Sequence, residues 1–292
     1  MDRPPAPALD RAAVRRHFER ASAGYDAHAA LAAAVRGELL ARLELLAFEP
    51  ALVLDLGTGT GHAARALRAR WPTARVLALD LAPAMLRAAR RQASWRRRFD
   101  LVCADGARLP LRDGSVDLVF SNLMLPWAVD LDRQFAEIRR VLAPRGYATF
   151  TTLGPDTLRE LRGAWREVDA RERVHPFFDL HDIGDALVRA GFADPVMDVD
   201  RYTLTYADPA ALLAELRGVG GQCALADRPR GLGGRGRRAA LLAALERRRG
   251  ADGRLAISCE VAFGQAWCPG ATPPIRARRG EVVVPITALR RR

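Results

Sequence analysis

Short apolar runs alternate with helix-like segments between residues 51 and 153, and this alternation is the clearest pattern in the chain. The helix-like segments, at 62–70, 83–93 and 132–142, are long enough to carry the chain from one strand to a parallel neighbour. The apolar runs are ALVLDL (51–56), ARVLALD (74–80), FDLVCAD (99–105), SVDLVFSN (115–122) and GYATFTTL (146–153). Buried strands joined by such crossovers form a parallel sheet with helices on both faces.

Two longer apolar runs, at residues 195–206 and 253–267, predict two further strands at one side of the same sheet. Together the seven runs predict an α/β fold with a doubly wound, mostly parallel, Rossmann-like sheet. We expect residues 51–267 to form one domain around this sheet. A tail rich in arginine and proline follows at 268–292, and we expect much of it to be loose.

Three helical regions accompany the predicted sheet. Helical spacing that starts with Val14 and Phe18 predicts an N-terminal helical cap over residues 1–50. Charged amphipathic text after the fifth strand predicts lid helices around residues 155–180. A basic helical insertion is predicted around residues 208–254, between the two long strands.

Three glycines, Gly57, Gly59 and Gly61, lie where the first strand passes into a helix. Without Cβ atoms they allow a tight turn and let a ligand approach free backbone N–H groups. Dinucleotides and S-adenosylmethionine both use such a turn, and the spacing from Gly59 to Ala64 satisfies the dinucleotide fingerprint. In that register, however, the strand would run through Gly57, too late for a tight turn. Asp55 would repel a pyrophosphate but suits a cationic ligand, so we favour S-adenosylmethionine.

Polar residues end the next three strands, at Asp80, Asp105 and Asn122. In an open α/β sheet these strand ends face one crevice, where ligands bind. We expect Asp80 to accept hydrogen bonds from ribose hydroxyls and Asp105 to accept one from an adenine amino group. The backbone at Asn122 would face the sulfonium. The predicted cofactor-binding set is Asp55, Gly57, Gly59, Gly61, Asp80, Leu81, Asp105, Gly106 and Asn122.

The charge of the chain is strongly positive and unevenly distributed. Its 292 residues have a formal net charge of +12 and contain no lysine, a bias that is typical of a GC-rich coding preference. Residues 228–254 hold nine arginines against two acids, and residues 276–292 hold six against one. Two such patches suggest an acidic partner or nucleic acid, although a solvated helix face and a frayed tail would give the same pattern.

Composition disfavours several other classes of protein. Four cysteines, none in a CxxC pair, and only five histidines lead us to expect no metal site and no disulfide framework. No apolar run approaches the roughly 18 residues that suggest a membrane span. The N-terminal residues lack the apolar core of a secretory signal, so we expect a cytoplasmic protein without a membrane partner.

Longer stretches resemble a known enzyme family. LDLGTGTG, ALDLAPAMLRAAR, CADGARLPL and DLVFSNLMLPW resemble the class I S-adenosylmethionine-dependent methyltransferases. VRRHFERASAGYDAHA, LGPDTLRELRGAW, HPFFDLHDIGDALVRAGFADPVMDVD and EVAFGQAW are similar to the malonyl-acyl-carrier-protein O-methyltransferases of biotin synthesis. The resemblance covers residues 11–267 and implies a Rossmann-like methyltransferase fold. Thr58 departs from the cysteine of many relatives, a change we expect to be harmless, and Gln265 departs from their common histidine.

The resemblance implies methyl transfer from S-adenosylmethionine to the free carboxylate of a malonyl thioester. Because a carboxyl group has a pKa of about 4, the acceptor is already an anion and needs no general base. The reaction needs orientation, exclusion of water and a group that holds the carboxylate. We predict Arg159, and Arg162 second, for that role, since an arginine fork suits a carboxylate. Tyr25 is predicted to close over the donor or to contact the acceptor, and Asp179 to cap the helix that follows it.

The resemblance also implies a partner, because acyl carrier proteins are small and strongly acidic. We expect Arg235, Arg237 and Arg238 to steer their docking. Other enzymes on this fold stay possible, namely a protein-arginine methyltransferase like a mitochondrial complex I assembly factor, or a small-molecule methyltransferase of quinone synthesis. A basic nucleic-acid-binding module is the non-enzymatic alternative. We disfavour it because the basic patches contain no interleaved aromatic residues.

Overall fold

A seven-stranded sheet forms the centre of the molecule. The computed structural model describes residues 9–46, 48–93, 98–228 and 234–270. The strands are β1 (Leu52–Leu56), β2 (Arg75–Asp80), β3 (Asp100–Cys103), β4 (Val116–Ser121), β5 (Leu142–Leu153), β6 (Ala193–Tyr206) and β7 (Leu255–Trp267).

The strand order is β3-β2-β1-β4-β5-β7-β6, so the chain reverses direction across the sheet between β1 and β4. Strands β1 to β5 are parallel, and β7 lies antiparallel between β5 and β6. In the centre, Leu54 of β1 pairs with Leu77 of β2 and Val119 of β4. This confirms the predicted doubly wound, mostly parallel fold, and each of the seven predicted strands is present.

Helices cover both faces of the sheet. One apolar cluster joins three helices to one face through Val35, Leu67 and Ala89. A second cluster joins two helices to the other face through Phe135 and Ile183. The helices are α1 (Arg11–Ala21), α2 (Tyr25–His28), α3 (Ala30–Arg42), α4 (His62–Arg70), α5 (Pro83–Gln92), α6 (Leu131–Val141), α7 (Arg159–Arg166), α8 (Leu180–Arg189), α9 (Pro209–Gly218) and α10 (Arg235–Glu246).

Helices α7, α9 and α10 form a separate layer beside the end of β6 and the start of β7. Leu161, Leu212 and Leu245 from the three helices pack with Tyr206 and Leu255 from the two strands. Because β7 is antiparallel to β5, this layer lies at the same end of the sheet as the carboxyl ends of β1 to β5.

The N-terminal helix α1 links this helical layer to the sheet. Leu9 forms an antiparallel bridge with Leu225, and the Asp10 carboxylate is paired with Arg228 at 2.9 Å. At its other end, α1 packs Ala21 against Ala82 and Met85 next to β2. The cap is therefore held by the sheet on one side and by the insertion on the other.

The region predicted to contain the lid helices is less helical than its sequence suggests. Within residues 155–180 the helix α7 covers only Arg159–Arg166, and α8 begins at Leu180. Pro176 between them explains part of the difference, since proline disfavours helix in the residue before it. Asp179 caps α8 by accepting a hydrogen bond from the His181 N–H at 2.9 Å, as predicted.

Two further points concern the ends and the surface of the chain. The tail from residue 271 onward lies outside the described residues. The prediction that this tail is loose therefore concerns residues that the structure does not describe. Among the helices described, none has both the length and the apolar character that crossing a bilayer requires.

Candidate active site

A cleft, here called the glycine cleft, lies at the carboxyl ends of the parallel strands. Helix α1 covers it with Arg11, Val14 and Phe18. Two residues of the predicted cofactor-binding set, Asp55 and Gly61, do not line the cleft. The predicted residues that line it are Tyr25, Gly57, Gly59, Asp80, Leu81, Asp105, Gly106 and Asn122.

The glycine turn at the base of the cleft has a positive φ at all three glycines, a conformation that residues with a Cβ rarely adopt. A Cβ on Gly61 would lie 2.8 Å from the Cβ of Ala89, and one on Gly57 would lie 2.6 Å from the Cβ of Met124. A Cβ on Gly59, in contrast, would meet nothing within 4 Å. The turn therefore leaves open space beside Gly59, which fits a ligand that lies against its backbone.

Asp55 is buried beneath the turn. Its Oδ2 accepts a hydrogen bond from Thr58 Oγ1 at 2.5 Å, and the Ala64 N–H donates to the same carboxyl group. Burial raises the pKa of Asp55 to about 7. Asp55 and Thr58 thus stabilise the turn, and the Thr58 hydroxyl takes a direct part in it. A direct contact between Asp55 and a ligand stays a prediction, and this position does not favour it.

Asp80 belongs both to the turn and to the cleft. Its Oδ2 accepts a hydrogen bond from the Gly59 N–H at 2.9 Å, and its Oδ1 accepts one from the Ala82 N–H at 2.8 Å. Burial raises the pKa of Asp80 above its ordinary value, although backbone hydrogen bonds act in the opposite direction. A carboxylate has about four acceptor sites, so Asp80 retains capacity for a ligand hydroxyl.

Asp105 connects the sheet to the cap. Its Oδ2 lies 2.7 Å from a guanidinium nitrogen of Arg11, and its Oδ1 accepts a hydrogen bond from the Ala107 N–H. The neighbouring Gly106 carbonyl accepts a hydrogen bond from Gln134 at 2.8 Å. Asp105 therefore already has a cationic partner, and its predicted contact with an adenine amino group is untested.

Both polar atoms of the Asn122 side chain have a partner within the protein. Its Nδ2 donates to the Ala32 carbonyl at 3.0 Å, and its Oδ1 accepts from Thr151 Oγ1 at 2.9 Å. Leu123 follows with a φ of +54°, and its N–H donates to Thr151. These bonds hold the loop after β4 in a defined shape, and the predicted contact between the Asn122 backbone and a sulfonium stays a prediction.

A second, largely apolar cavity adjoins the glycine cleft, here called the apolar cavity. It lies among α2, the loop after β4 and the helical layer of α7 and α9. Four residues line both the cleft and the cavity, namely Phe18, Tyr25, Leu123 and Trp127, and we call them the shared wall. Further residues of the cavity include His28, Leu153, Leu158, Phe177, Leu204 and Leu212.

Tyr25 is the one residue of the shared wall with a hydroxyl group. It begins the one-turn helix α2, between α1 and α3. Burial, followed by the nearby charge of Asp80, raises the pKa of Tyr25 to about 12. Its phenol therefore stays protonated at neutral pH and can donate a hydrogen bond.

His175 supports the shared wall from the side of the apolar cavity. Its ring stacks on Trp127 with an interplanar angle of 4°. Its Nε2 lies 2.6 Å from the Pro126 carbonyl oxygen, which only accepts hydrogen bonds, so Nε2 carries the proton. Burial lowers the pKa of His175, which keeps the ring neutral.

The two arginines predicted to hold a carboxylate do not line either space. The Arg159 side chain is 62% exposed and pairs with Glu160 at 3.1 Å. Arg162 donates to the carbonyl groups of Pro155 and Thr157. The arginine that does line the apolar cavity is Arg173, at 15% exposure and in an ion pair with an aspartate. Catalytic roles for Arg159 and Arg162 stay untested predictions.

Gln265 lies outside both the glycine cleft and the apolar cavity. It pairs with Thr149 in the middle of β5, and its Oε1 accepts a hydrogen bond from the Tyr147 hydroxyl at 2.6 Å. A structural role in the sheet therefore explains this residue, and its departure from the common histidine does not alter the surface of the described site.

Sequence reasoning missed most of the shared wall. Phe18, Leu123 and Trp127 lie in stretches that carry the family resemblance, but the sequence analysis assigned none of them a role at the site. The positive φ of Leu123 depends on its hydrogen bonds to Thr151 on the next strand, so the local sequence carries no signal for it. The pair formed by Arg11 and Asp105 likewise depends on how the cap packs on the sheet.

Comparisons with known proteins agree with this geometry. Residues 54–150 match the family described as "Methyltransferase domain". The chain is 48% identical over 288 residues to malonyl-[acyl-carrier protein] O-methyltransferase of Halorhodospira halophila, which covers 98% of each chain. It is 47% identical over 283 residues to the protein of that name from Laribacter hongkongensis, covering 94% of this chain and 95% of that relative.

Solved structures show the same fold at much lower sequence identity. The YcgJ protein of Bacillus subtilis superimposes with a TM-score of 0.58 and 16% identity, covering 80% of this chain and 98% of the other. Phosphoethanolamine N-methyltransferase 2 of Haemonchus contortus, solved with S-adenosyl-L-methionine, superimposes with a TM-score of 0.52 and 21% identity, covering 80% of this chain and 52% of the other.

Proposed function

As the chain belongs to the malonyl-[acyl-carrier protein] O-methyltransferase family, we propose that it methylates the free carboxylate of malonyl-acyl carrier protein. S-adenosylmethionine is the methyl donor, and the product is an early intermediate of biotin synthesis. The predicted alternatives, methylation of a protein arginine or of a quinone precursor, receive no support from these relatives.

The observation that carries the proposal is the shared wall between the glycine cleft and the apolar cavity. The cleft has the glycine turn and the strand-end aspartates that suit the donor, and the cavity has an apolar lining that suits an acyl arm. Because Tyr25 lines both, a donor in the cleft and an acceptor in the cavity meet beside its hydroxyl group.

In the donor site, Gly57 and Gly59 provide the backbone surface and Asp80 accepts from ribose hydroxyls. Leu81, Asp105, Gly106 and Asn122 line the remainder of the cleft. Asp55 and Gly61 act indirectly, through the shape of the turn. This division modifies the predicted cofactor-binding set, in which all nine residues were expected to serve the donor.

The chemistry needs no proton transfer. One oxygen of the malonyl carboxylate attacks the methyl carbon, the carbon–sulfur bond breaks, and its electron pair stays on sulfur, so that a methyl ester and a thioether form. Two opposite charges neutralise each other in this step, and a largely apolar cavity favours charge neutralisation. Tyr25 donates a hydrogen bond to one carboxylate oxygen and leaves the other oxygen free to attack.

The acidic carrier protein docks near the start of α10. Arg235, Arg237 and Arg238 are exposed there, close to the helical layer that bounds the apolar cavity. Complementary charge of this kind raises the rate of association more than the affinity.

The test is methylation of malonyl-acyl carrier protein by the purified protein with S-adenosylmethionine, measured from the intact mass of the carrier. We expect a gain of one methylene with the malonyl carrier and none with acetyl or unloaded carrier, because only malonyl has a free carboxylate. No gain with the malonyl carrier, while donor binding by calorimetry is intact, would refute the proposed acceptor.

Tyr25→Phe tests the proposed role of the hydroxyl group. A hydrogen bond to a charged group contributes about 1.5–3 kcal/mol, so we expect kcat/KM for the malonyl carrier to fall roughly 10- to 100-fold. Donor affinity should change little, since the ring is retained. A variant with normal kcat/KM would remove Tyr25 from the mechanism and leave the rest of the proposal standing.

A further inference from the structure

A groove lined by arginines, here called the basic groove, lies on the outside of the helical layer. It runs between α7, α9 and α10, and no acidic residue of the described chain lines it. Much of its remaining lining consists of leucines and Trp165. The four arginines that line it are Arg173, Arg217, Arg237 and Arg238.

The groove adjoins the apolar cavity. Five residues line both of them, namely Leu161, Arg173, Leu216, Gly221 and Cys223. The cavity in turn adjoins the glycine cleft at the shared wall. The groove and the cleft share no lining residue, so the apolar cavity is the space that adjoins both of them.

Two of the four arginines in the groove, Arg217 and Arg238, have guanidinium groups that are available to a ligand. The other two, Arg173 and Arg237, share Asp169 as an ion-pair partner, and Arg237 Nε lies 3.7 Å from Asp169 Oδ2. The side chains of Arg217 and Arg238 make no hydrogen bond or ion pair within the described ranges, and both residues are exposed. Arginines that face one groove without carboxylate partners form a suitable site for an anion.

We infer that the basic groove binds the phosphate of the phosphopantetheine arm that carries the malonyl group. This inference rests on the proposed function and adds the site at which the arm enters. An acyl carrier protein presents its acyl group at the end of this arm, which has a phosphodiester at one end, two amides along its length and a thioester at the other end. A phosphate in the groove would place the arm along the apolar cavity and the malonyl carboxylate at the shared wall.

The proposed phosphate site has a different role from the arginines that attract the acidic surface of the carrier protein. Steering depends on acidic residues at the carrier surface, acts over a distance and concerns association. The groove would instead recognise a group of the arm itself, through the planar, fork-shaped donors that arginine offers to phosphate. It should therefore act on a small substrate that has no protein attached.

The experiment compares malonyl-phosphopantetheine with malonyl-pantetheine, which lacks only the phosphate. For wild type we expect kcat/KM to be about tenfold or more higher with the phosphate, which corresponds to roughly 1.4 kcal/mol, a modest value for a charge-assisted contact. In the double variant Arg217→Gln/Arg238→Gln this preference should fall close to one, because kcat/KM for malonyl-phosphopantetheine falls to the value for malonyl-pantetheine. The control is Arg75→Gln, which removes one exposed charge at the start of β2 and should keep the preference.

Equal activity of wild type on the two substrates, or an unchanged preference in the double variant, would overturn the inference. Calorimetry with unacylated phosphopantetheine and pantetheine separates this result from failure of the proposed function. Binding that requires both the phosphate and the two arginines supports the groove even if no malonyl substrate is methylated. Absence of phosphate-dependent binding refutes the groove even if malonyl carrier is methylated.

Discussion

At the level of single residues, neighbouring positions of the glycine turn serve different purposes. Gly59 faces open space in the cleft, whereas Gly61 lies against Ala89 of α5. Asp55 lies beneath both, where burial and the hydroxyl of Thr58 set its environment. Sequence alone assigns all of these residues to one ligand-binding motif, but their environments predict separable effects on binding and on stability.

Gly59→Ala and Gly61→Ala form a matched pair. Both glycines have a positive φ, 55° and 86°, so each alanine costs roughly 1–2 kcal/mol of backbone strain. We expect Gly61→Ala to be the less stable variant, because its Cβ also collides with Ala89. Gly59→Ala should instead lose more donor affinity, because its Cβ enters the cleft. Thermal unfolding and donor calorimetry on both variants measure the two effects, and the reverse ranking in both would contradict this division.

Asp55 predicts a pH dependence of stability. Burial raises its pKa in the folded state to about 7, above the ordinary 3.8, so the folded state favours the protonated form. Its contribution to stability is therefore complete below the unfolded-state pKa and is lost as the pH rises towards 7. We expect Asp55→Asn to weaken the fall in melting temperature between about pH 5 and pH 8 in the ligand-free protein. Asp80, whose pKa is also raised, keeps part of that fall in the variant.

The same measurement has a clear opposite outcome. If the melting temperatures of wild type and Asp55→Asn keep a constant difference across this pH range, Asp55 does not titrate there and its carboxyl is ionised in the fold.

At the level of elements, the cap α1 closes the cleft only because two other elements hold it. Arg11 pairs with Asp105 at the end of β3, and Asp10 pairs with Arg228 of the insertion. Arg228 is the main cause that lowers the pKa of Asp10. This pair therefore contributes stability above the unfolded-state pKa of Asp10 and loses it as the pH falls through the lower, folded-state value.

Arg228→Gln is expected to loosen the cap. Amide hydrogen exchange in α1 should become faster, and donor affinity should fall, because Arg11, Val14 and Phe18 of α1 line the cleft. Arg16→Gln is the matched control, since Arg16 lies 3.8 Å from the same carboxylate and is half exposed. Exchange rates in α1 that respond equally to both substitutions would mean that the ion pair with Arg228 has no special part in closure.

At the level of the whole molecule, net charge and its distribution concern association rather than fold. The chain has a charge of +12, and nine arginines lie within residues 228–254. Exposed charges act over about 8–10 Å at ordinary salt. Their attraction for a carrier protein therefore reaches beyond direct contact and weakens as the salt concentration rises.

Arg235→Glu tests this steering apart from the groove, because Arg235 is exposed on α10 but does not line the groove. We expect kcat/KM for malonyl-acyl carrier protein to fall several-fold at low salt and the difference from wild type to shrink at high salt. Activity on malonyl-pantetheine should stay the same, since that substrate has no acidic surface. A loss that is equal on both substrates would show that Arg235 acts through the fold instead.

The pattern of the sequence was sufficient for the architecture and for part of the donor site. Alternating apolar runs and helical segments reflect local periodicity, and the glycines and aspartates mark strand ends that meet at one edge of a parallel sheet. These features follow from the order of residues along the chain. The predicted strands, the cap of α8 by Asp179 and the convergence of Gly59, Asp80 and Asn122 on one cleft are all present.

The shared wall and the apolar cavity depended on packing between segments that are far apart in the chain. Phe18 and Tyr25 meet Leu123 and Trp127 because the cap lies across the carboxyl end of the sheet. Arg173 lines the apolar cavity whereas Arg159 points to the exterior, although both have similar charged surroundings in sequence. The angle at which one helical layer packs on another decides which side chains face a cavity. The local pattern of apolar and polar residues does not determine that angle.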